Sequence, residues 1–510
     1  MAWSFYKNWI HEITVFTCGA LVMIFEIIGS RILSPFIGTS TYVWTSLIGV
    51  ILGSLSLGYW FGGRIADRRP DAKVLAAVIL TAAGLISATV LVKDVLLSLI
   101  ASATVGLEVK ALIASLLLFA PASVCLGFVT PFTVRLKMTA FETTGSTVGN
   151  LYAISTVGSI LGTFAAGFFL VPFVGSVRTL YLIAGSLLIL SSTLVPLSIS
   201  KLNIAAVLLF ILGITASETN AYLLLQTNGL HDLDTEYSRV QVFQSTDPAS
   251  GKAIQAMAID PYFVQSAMFL DSDDLVFDYS RYYHLIRHFK PNFEKTLIIG
   301  GAGYSFPKEY LRTCDKALID VVEIDPGMTA IAREFFRLKD DPRLNIIHED
   351  GRMYINRSES AKYDAVLIDV FSSLFTVPQH LTTIEAVTNI QRILKADGVV
   401  ILNLGSAITG KGSRFLNAEL RTYRQVFPRV YLFKVNAGYQ DERLQNLIIV
   451  ASKRNADIDL RSSDESMARL LAHRYTGELP LNEKILTDDL APVEYYNSIA
   501  QSLIAQLSAE

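Results

Sequence analysis

The chain has 510 residues, a net charge of −3 and a pI near 6.2, a balance that offers nucleic acid no basic surface. Hydrophobic residues make up 51% and charged residues 17%, too apolar for an ordinary soluble enzyme. Three cysteines (Cys18, Cys125, Cys314) are too few and too scattered for a disulfide framework or a zinc site.

Nearly all of the apolar excess lies before residue 222. Long apolar runs occupy residues 13–35, 43–63, 74–92, 110–134, 149–173, 178–198 and 202–221. Each is near the roughly 20 residues that a spanning helix needs. The first run is no cleavable signal, because it is long, carries Glu26 and Arg31, and is followed by further runs. Residues 1–222 therefore read as a multi-pass α-helical membrane domain, with the lipid bilayer as a partner. Gly53, Gly58, Gly62 and Gly63, then Gly149, Gly158, Gly162 and Gly167, mark places for close helix packing. Glu26 and Arg31 either pair or line a polar cavity. The most basic short loop, Gly63 to Lys73, is expected in the cytosol, with Arg135 and Lys137 in a second. Seven crossings would then leave the C-terminal half outside the cell. Residues 93–109 are the candidate for an eighth crossing that returns it to the cytosol.

From residue 223 the sequence is ordinary globular protein. Tyr237 to Phe243 and Ile254 to Ile259 read as strands around the turn-rich STDPASGK, with Ala267 to Leu270 as a third. They form a small β module over 223–275. Tyr279 to Phe289 reads as a helix carrying Tyr283, His284 and His288.

Residues 276–510 alternate strands with helices, which implies a doubly wound, mostly parallel, Rossmann-like sheet. The centre is Thr296 to Asp325. Strand Leu297–Ile299 runs into Gly300, Gly301, Ala302 and Gly303, a helix follows, and a second strand stops at Glu323. A glycine turn followed about 20 residues later by an acid is the arrangement that receives a nucleotide, the acid accepting from the ribose hydroxyls. Further strands end at Glu349-Asp350-Gly351 and at Asp369. Since ligands bind beyond the carboxyl ends of such strands, these residues are expected to share one crevice. Asp325 reads as fixing a turn, and His288, His348 and His380 lack metal-ligand spacing.

Over residues 223–510 the chain resembles the spermidine synthase (polyamine aminopropyltransferase) family in its membrane-fused form. The match is carried by LIIGGAG (Leu297–Gly303), VEID (Val322–Asp325), DPR (Asp341–Arg343), EDGR (Glu349–Arg352) and YDAVLID (Tyr363–Asp369). Tyr237, Leu270-Asp271, Tyr283-His284 and the tail LTDDLAPVEYY also fit. The resemblance implies transfer of an aminopropyl group from decarboxylated S-adenosylmethionine to putrescine or a related amine, making spermidine and releasing methylthioadenosine, without a metal. It implies Gly300, Gly301 and Gly303 at the nucleotide, Glu323 on its ribose, Asp350 with Gly351 at the adenine amino group, and Asp369 as general base. Tyr237, Tyr283, His284 and Ser372 fall on amine-side positions. Relatives commonly pair, so a homodimer is admitted. The donor nucleotide is cytosolic, which puts the catalytic domain on the cytoplasmic face of the inner membrane.

Some positions depart from the family pattern. Gly303 stands where an aspartate is usual, Ser372 replaces a second acid, Ser238 a glutamine, and Leu285 a glutamate. These changes remove groups that would meet a di-cation. Two further readings therefore stand beside the first: a methyltransferase-type enzyme using intact S-adenosylmethionine, and a transporter or sensor that binds nucleotide without turnover.

Overall fold

The computed structural model describes residues 2–38, 40–103, 105–138, 144–195, 201–259, 264–371 and 377–507. The chain divides into two compact units, Met1–Arg239 and Val240–Glu510.

The first unit is helical: α1 Ala2–Ile37, α2 Thr41–Arg68, α3 Ala72–Ala101, α4 Leu107–Leu118, α5 Ala120–Lys137, α6 Thr144–Ala165 continued by a π-helical stretch Ala166–Val174, α7 Ser176–Leu194 and α8 Lys201–Asn228. Among the described residues, six helical segments are long and apolar enough to cross a bilayer, and the pair α4–α5 qualifies as one, bent by 54°. Pro121, in the first turn of α5, marks the break, because proline lacks the N–H that would continue the helix. Lys110 on α4 donates to the carbonyl of Ala101 at the end of α3 (2.6 Å), whereas Arg135 on α5 pairs with Asp67 at the end of α2 (3.4 Å). The bent pair thus runs from one end of the bundle to the other. Residues 93–109 do not form the expected extra helix: Lys93 to Ala101 complete α3, and only a short connection separates it from α4.

The glycines divide into two groups. A Cβ at Gly58 would come within 2.3 Å of the Val124 carbonyl, one at Gly158 within 2.1 Å of the Phe16 carbonyl, and one at Gly162 within 2.4 Å of the Ala20 carbonyl. These backbones touch only because the side chains are missing. Gly53, Gly63, Gly149 and Gly167 instead face open space among the described residues, so the packing reading does not extend to them. Arg31 donates to the Glu236 carbonyl at 2.6 Å. A short strand, β1 His231–Asp234, follows α8, and its Asp234 accepts from the Ser176 amide (2.7 Å) and hydroxyl (2.8 Å) at the start of α7.

An antiparallel meander opens the second unit, its first strand starting one residue before the boundary: β2 Arg239–Thr246, β3 Ala253–Ala258 and β4 Val264–Phe269. Next come short helical turns over Asp278–Arg281, Tyr282–Leu285 and Ile286–Phe289. The large sheet contains β5 Lys295–Ile299, β6 Leu318–Glu323, β7 Leu344–His348, β8 Tyr363–Phe371, β9 Leu394–Ser406, β10 Arg429–Lys434 and β11 Gln445–Ser452. Their order is β10-β11-β9-β8-β5-β6-β7, parallel from β9 to β7 and antiparallel at β10 and β11. Buried runs such as Leu297–Ile299 and Ala365–Ile368 are apolar on both faces, as a sheet covered on both sides requires. The chain moves outward from β5 to β6 and β7, then returns to the other side of β5 as β8. The gap between β5 and β8 is therefore the topological switch point, where such sheets open a crevice.

Candidate active site

Strand register aligns the carboxyl ends. Ile299 pairs with Val322 on one side and with Ile368 on the other; Val322 pairs with Ile347, and Ile368 with Leu402. The residues that follow (Gly300, Glu323, His348, Asp369 and Asn403) therefore stand along one edge. Register shifts between Ile368 and Phe371, an irregularity of the kind that re-aims a side chain at a strand end.

At Gly300 the backbone has φ +95°, and a Cβ there would sit 2.5 Å from the Asp369 carbonyl oxygen. A Cβ at Gly301 would meet the Tyr304 ring at 2.7 Å, and one at Gly303 the Ser266 hydroxyl at 2.3 Å. The turn thus uses glycine to let its own neighbours close in, with Ala302 and Tyr304 also held at positive φ. Glu323, 8% exposed, accepts from the amides of Gly301 (2.8 Å) and Ala302 (3.1 Å) through one oxygen and from Asp325 (3.0 Å) through the other. Desolvation raises its pKa despite these bonds, which favour the charged form.

Asp350 caps the helix Gly351–Arg357 by accepting from the Met353 amide at 3.0 Å, and His380 approaches its other oxygen at 3.2 Å. A Cβ on Gly351 would strike Ile299 at 2.7 Å, so this turn lies against the tip of β5. Asp325 caps the helix Pro326–Phe335 through the Gly327 amide, the structural role read from the sequence.

Asp369 lies in a small cavity of about 30 Å³. Its walls come from the β meander (Gln265, Ser266), from Phe277 and Tyr279, from the glycine turn, and from Ser305 and Phe306. Tyr279 donates to Asp369 at 3.4 Å and Asn403 Nδ2 at 3.5 Å, and the Tyr283 hydroxyl also serves this carboxyl while lying 3.4 Å from the Ile368 carbonyl. Desolvation pushes the Asp369 pKa up to about 6, against the lowering effect of these donors. The phenols of Tyr279 and Tyr283 are held well above their ordinary value by burial and by the Asp369 charge.

The amine-side expectations divide. Tyr283 reaches the Asp369 neighbourhood. His284 does not line the cavity: it faces Glu309 at 3.6 Å and packs edge-on against Phe306. It is Tyr279, one helical turn before Tyr283, that lines it. Tyr237 belongs to the first unit and is 49% exposed. Ser372 lies outside the described residues. Neither Tyr279 nor Asn403 was singled out from the sequence. Their signals were the i, i+4 spacing of Tyr279 with Tyr283, and one amide within the apolar run Val399–Leu404. Among the described residues no cluster of His, Cys, Asp and Glu is arranged to hold a metal ion.

The spermine/spermidine synthase domain model matches residues 265–457. A polyamine aminopropyltransferase of Vibrio vulnificus is 30% identical over 214 residues, 41% of this chain and 69% of that protein. Polyamine aminopropyltransferase 1 of Streptomyces coelicolor is 25% identical over 428 residues, 77% of this chain and 75% of that protein, so its alignment extends into the helical half. The crystal structure of the spermidine synthase from Thermotoga maritima is 20% identical, with a TM-score of 0.36, over 54% of this chain and 86% of that one. With a matched domain that contains the glycine turn and all three strand-end acids, the chain belongs to the spermine/spermidine synthase family.

Proposed function

We propose that the protein is an aminopropyltransferase that moves a propylamine group from decarboxylated S-adenosylmethionine onto putrescine or a related amine, in the chemistry of spermidine synthesis. The observation that carries this reading is Asp369. It is a desolvated carboxyl at the switch point, met by Tyr279, Tyr283 and Asn403.

Amines are protonated at neutral pH, and only the neutral amine attacks. A carboxylate with a pKa near 6 first attracts the ammonium and then accepts its proton. The nitrogen lone pair forms the new bond to the carbon beside the sulfonium. The C–S electron pair returns to sulfur, leaving neutral methylthioadenosine and a secondary ammonium that now carries the positive charge the sulfonium held. No charge needs a metal to balance it, and positioning supplies much of the rate. Glu323 holds the ribose hydroxyls beside the glycine turn, and Asp350 accepts from the adenine amino group. The small cavity at Asp369 receives the amine.

The apolar helices cross a lipid bilayer, α4 and α5 together as one crossing. The catalytic unit lies on the cytoplasmic face, where the donor nucleotide is made.

Product identification tests the reading. Detergent-solubilised protein given putrescine and the decarboxylated donor is expected to release methylthioadenosine and spermidine. Release of S-adenosylhomocysteine from intact S-adenosylmethionine, with no methylthioadenosine from the decarboxylated donor, would replace aminopropyl transfer by methyl transfer. Nucleotide binding without either product would leave a sensor or transporter.

A further inference from the structure

Asn403 is fully buried on β9, one residue beyond the partner of Ile368. Its neighbours in sequence are Val399, Val400, Ile401, Leu402 and Leu404, so packing alone would favour another aliphatic residue. Its Nδ2 donates to Asp369 Oδ1 at 3.5 Å, while among the described residues its Oδ1 has no hydrogen-bond partner. A buried amide with one end unsatisfied is costly, and an aliphatic side chain at this position would avoid that cost.

The two ends of the amide match the two protonation states of its neighbour. An ionised Asp369 needs N–H donors. A protonated Asp369 carries an O–H that needs an acceptor, and a half-turn of the amide would present Oδ1 to it. Among the described residues the other groups facing this carboxyl, Tyr279 and Tyr283, are phenols whose ionisation burial suppresses, so they remain donors.

We infer that Asn403 is a positioning residue for aminopropyl transfer. It fixes the Asp369 carboxyl and follows its protonation, giving N–H to the carboxylate before transfer and C=O to the acid after the amine proton has arrived. The inference rests on the reading of Asp369 as base. The proton it serves leaves the bound ammonium before attack; the N–C bond then forms as the C–S bond breaks and its electron pair returns to sulfur.

The test is the pH dependence of kcat in the full-length, detergent-solubilised protein with decarboxylated donor and putrescine. Asn403→Leu removes both ends of the amide at similar volume. The N–H end already lies on the carboxylate, whereas the C=O end reaches the acid only after the amide turns, so the loss weighs more on the ionised form: the acid limb is expected to move up by about one pH unit and kcat to fall about tenfold, with the donor KM unchanged. Asn403→Gln retains the amide and is expected to restore the limb and most of the rate. Should the leucine variant not fold, Asn403→Ala tests the same loss in a smaller side chain. An unmoved limb in Asn403→Leu or Asn403→Ala, or a glutamine variant no better than leucine, would overturn the inference. Asp369→Asn run alongside separates the two claims. If it keeps wild-type turnover, the base assignment fails; if it is inactive while the Asn403 variants behave as wild type, only the positioning role falls.

Discussion

Asp369 concentrates the chemistry into one side chain, and its environment has consequences for stability as well as rate. Its folded pKa, about 6, lies above its ordinary value, so the folded state holds the proton more tightly than the unfolded chain does. The stabilisation from this proton is present at low pH and is lost as pH rises from the unfolded pKa through about 6. Asp369→Asn, which is never charged, is expected to unfold at higher temperature than wild type at pH 8, by on the order of 2 kcal/mol, and to shrink the difference at pH 4. Thermal denaturation at the two pH values checks this. Gly300 is the second residue with a definite cost. With φ +95° and the Asp369 carbonyl 2.5 Å from any Cβ, Gly300→Ala is expected to destabilise by about 2 kcal/mol or more and to displace the base. Chemical denaturation and turnover should fall together. Sequence alone marked both residues because strand-to-glycine and strand-to-acid transitions are local patterns. It did not mark Tyr279 or Asn403, whose meaning depends on which strand and which turn lie beside Asp369.

At the scale of elements, the helix Gly351–Arg357 has seven residues and depends on its cap. Asp350 therefore has two candidate duties, and one substitution separates them. Asparagine caps about as well as aspartate, so Asp350→Asn is expected to leave thermal stability within about 0.5 kcal/mol of wild type. It also presents an amide donor where the adenine amino group needs an acceptor, so the donor KM is expected to rise about tenfold. An unchanged KM would leave Asp350 as a cap alone. The strands β5 to β9 were legible because apolar runs ended by Gly, Asp or Glu have few other readings. The reach of β9 back to Leu394, the short β1 and the placement of His284 against Glu309 were not legible. Each is decided by partners far away in sequence. The helical half was legible as runs of apolar residues, while the continuity of Lys93 to Ala101 with α3 was not, since composition there is interrupted but hydrogen bonding is not.

For the whole molecule, the direction of the bent pair matters. Because α4–α5 runs from the end of α3 to the end of α2, the proposed crossings number seven, an odd number that would put the start and the end of the helical unit on opposite faces of the bilayer. A cytoplasmic catalytic unit then places the basic loop around Arg68 and Lys73 outside, against the usual bias of basic loops. A cysteine introduced at Asp71 is expected to react with an impermeant maleimide in intact cells; protection there, with labelling of a cysteine at Asp489, would reverse the orientation. The orientation leaves the chemistry of the strand ends unchanged, and that chemistry is the centre of the account. It is tested most directly by single-turnover aminopropyl transfer measured from pH 5 to pH 9 in wild type and in Asp369→Asn. The account predicts a wild-type rate that falls below about pH 6 and a variant at least about a hundredfold slower with no such limb. An Asp369→Asn protein that keeps both the rate and the acid limb of wild type would contradict it.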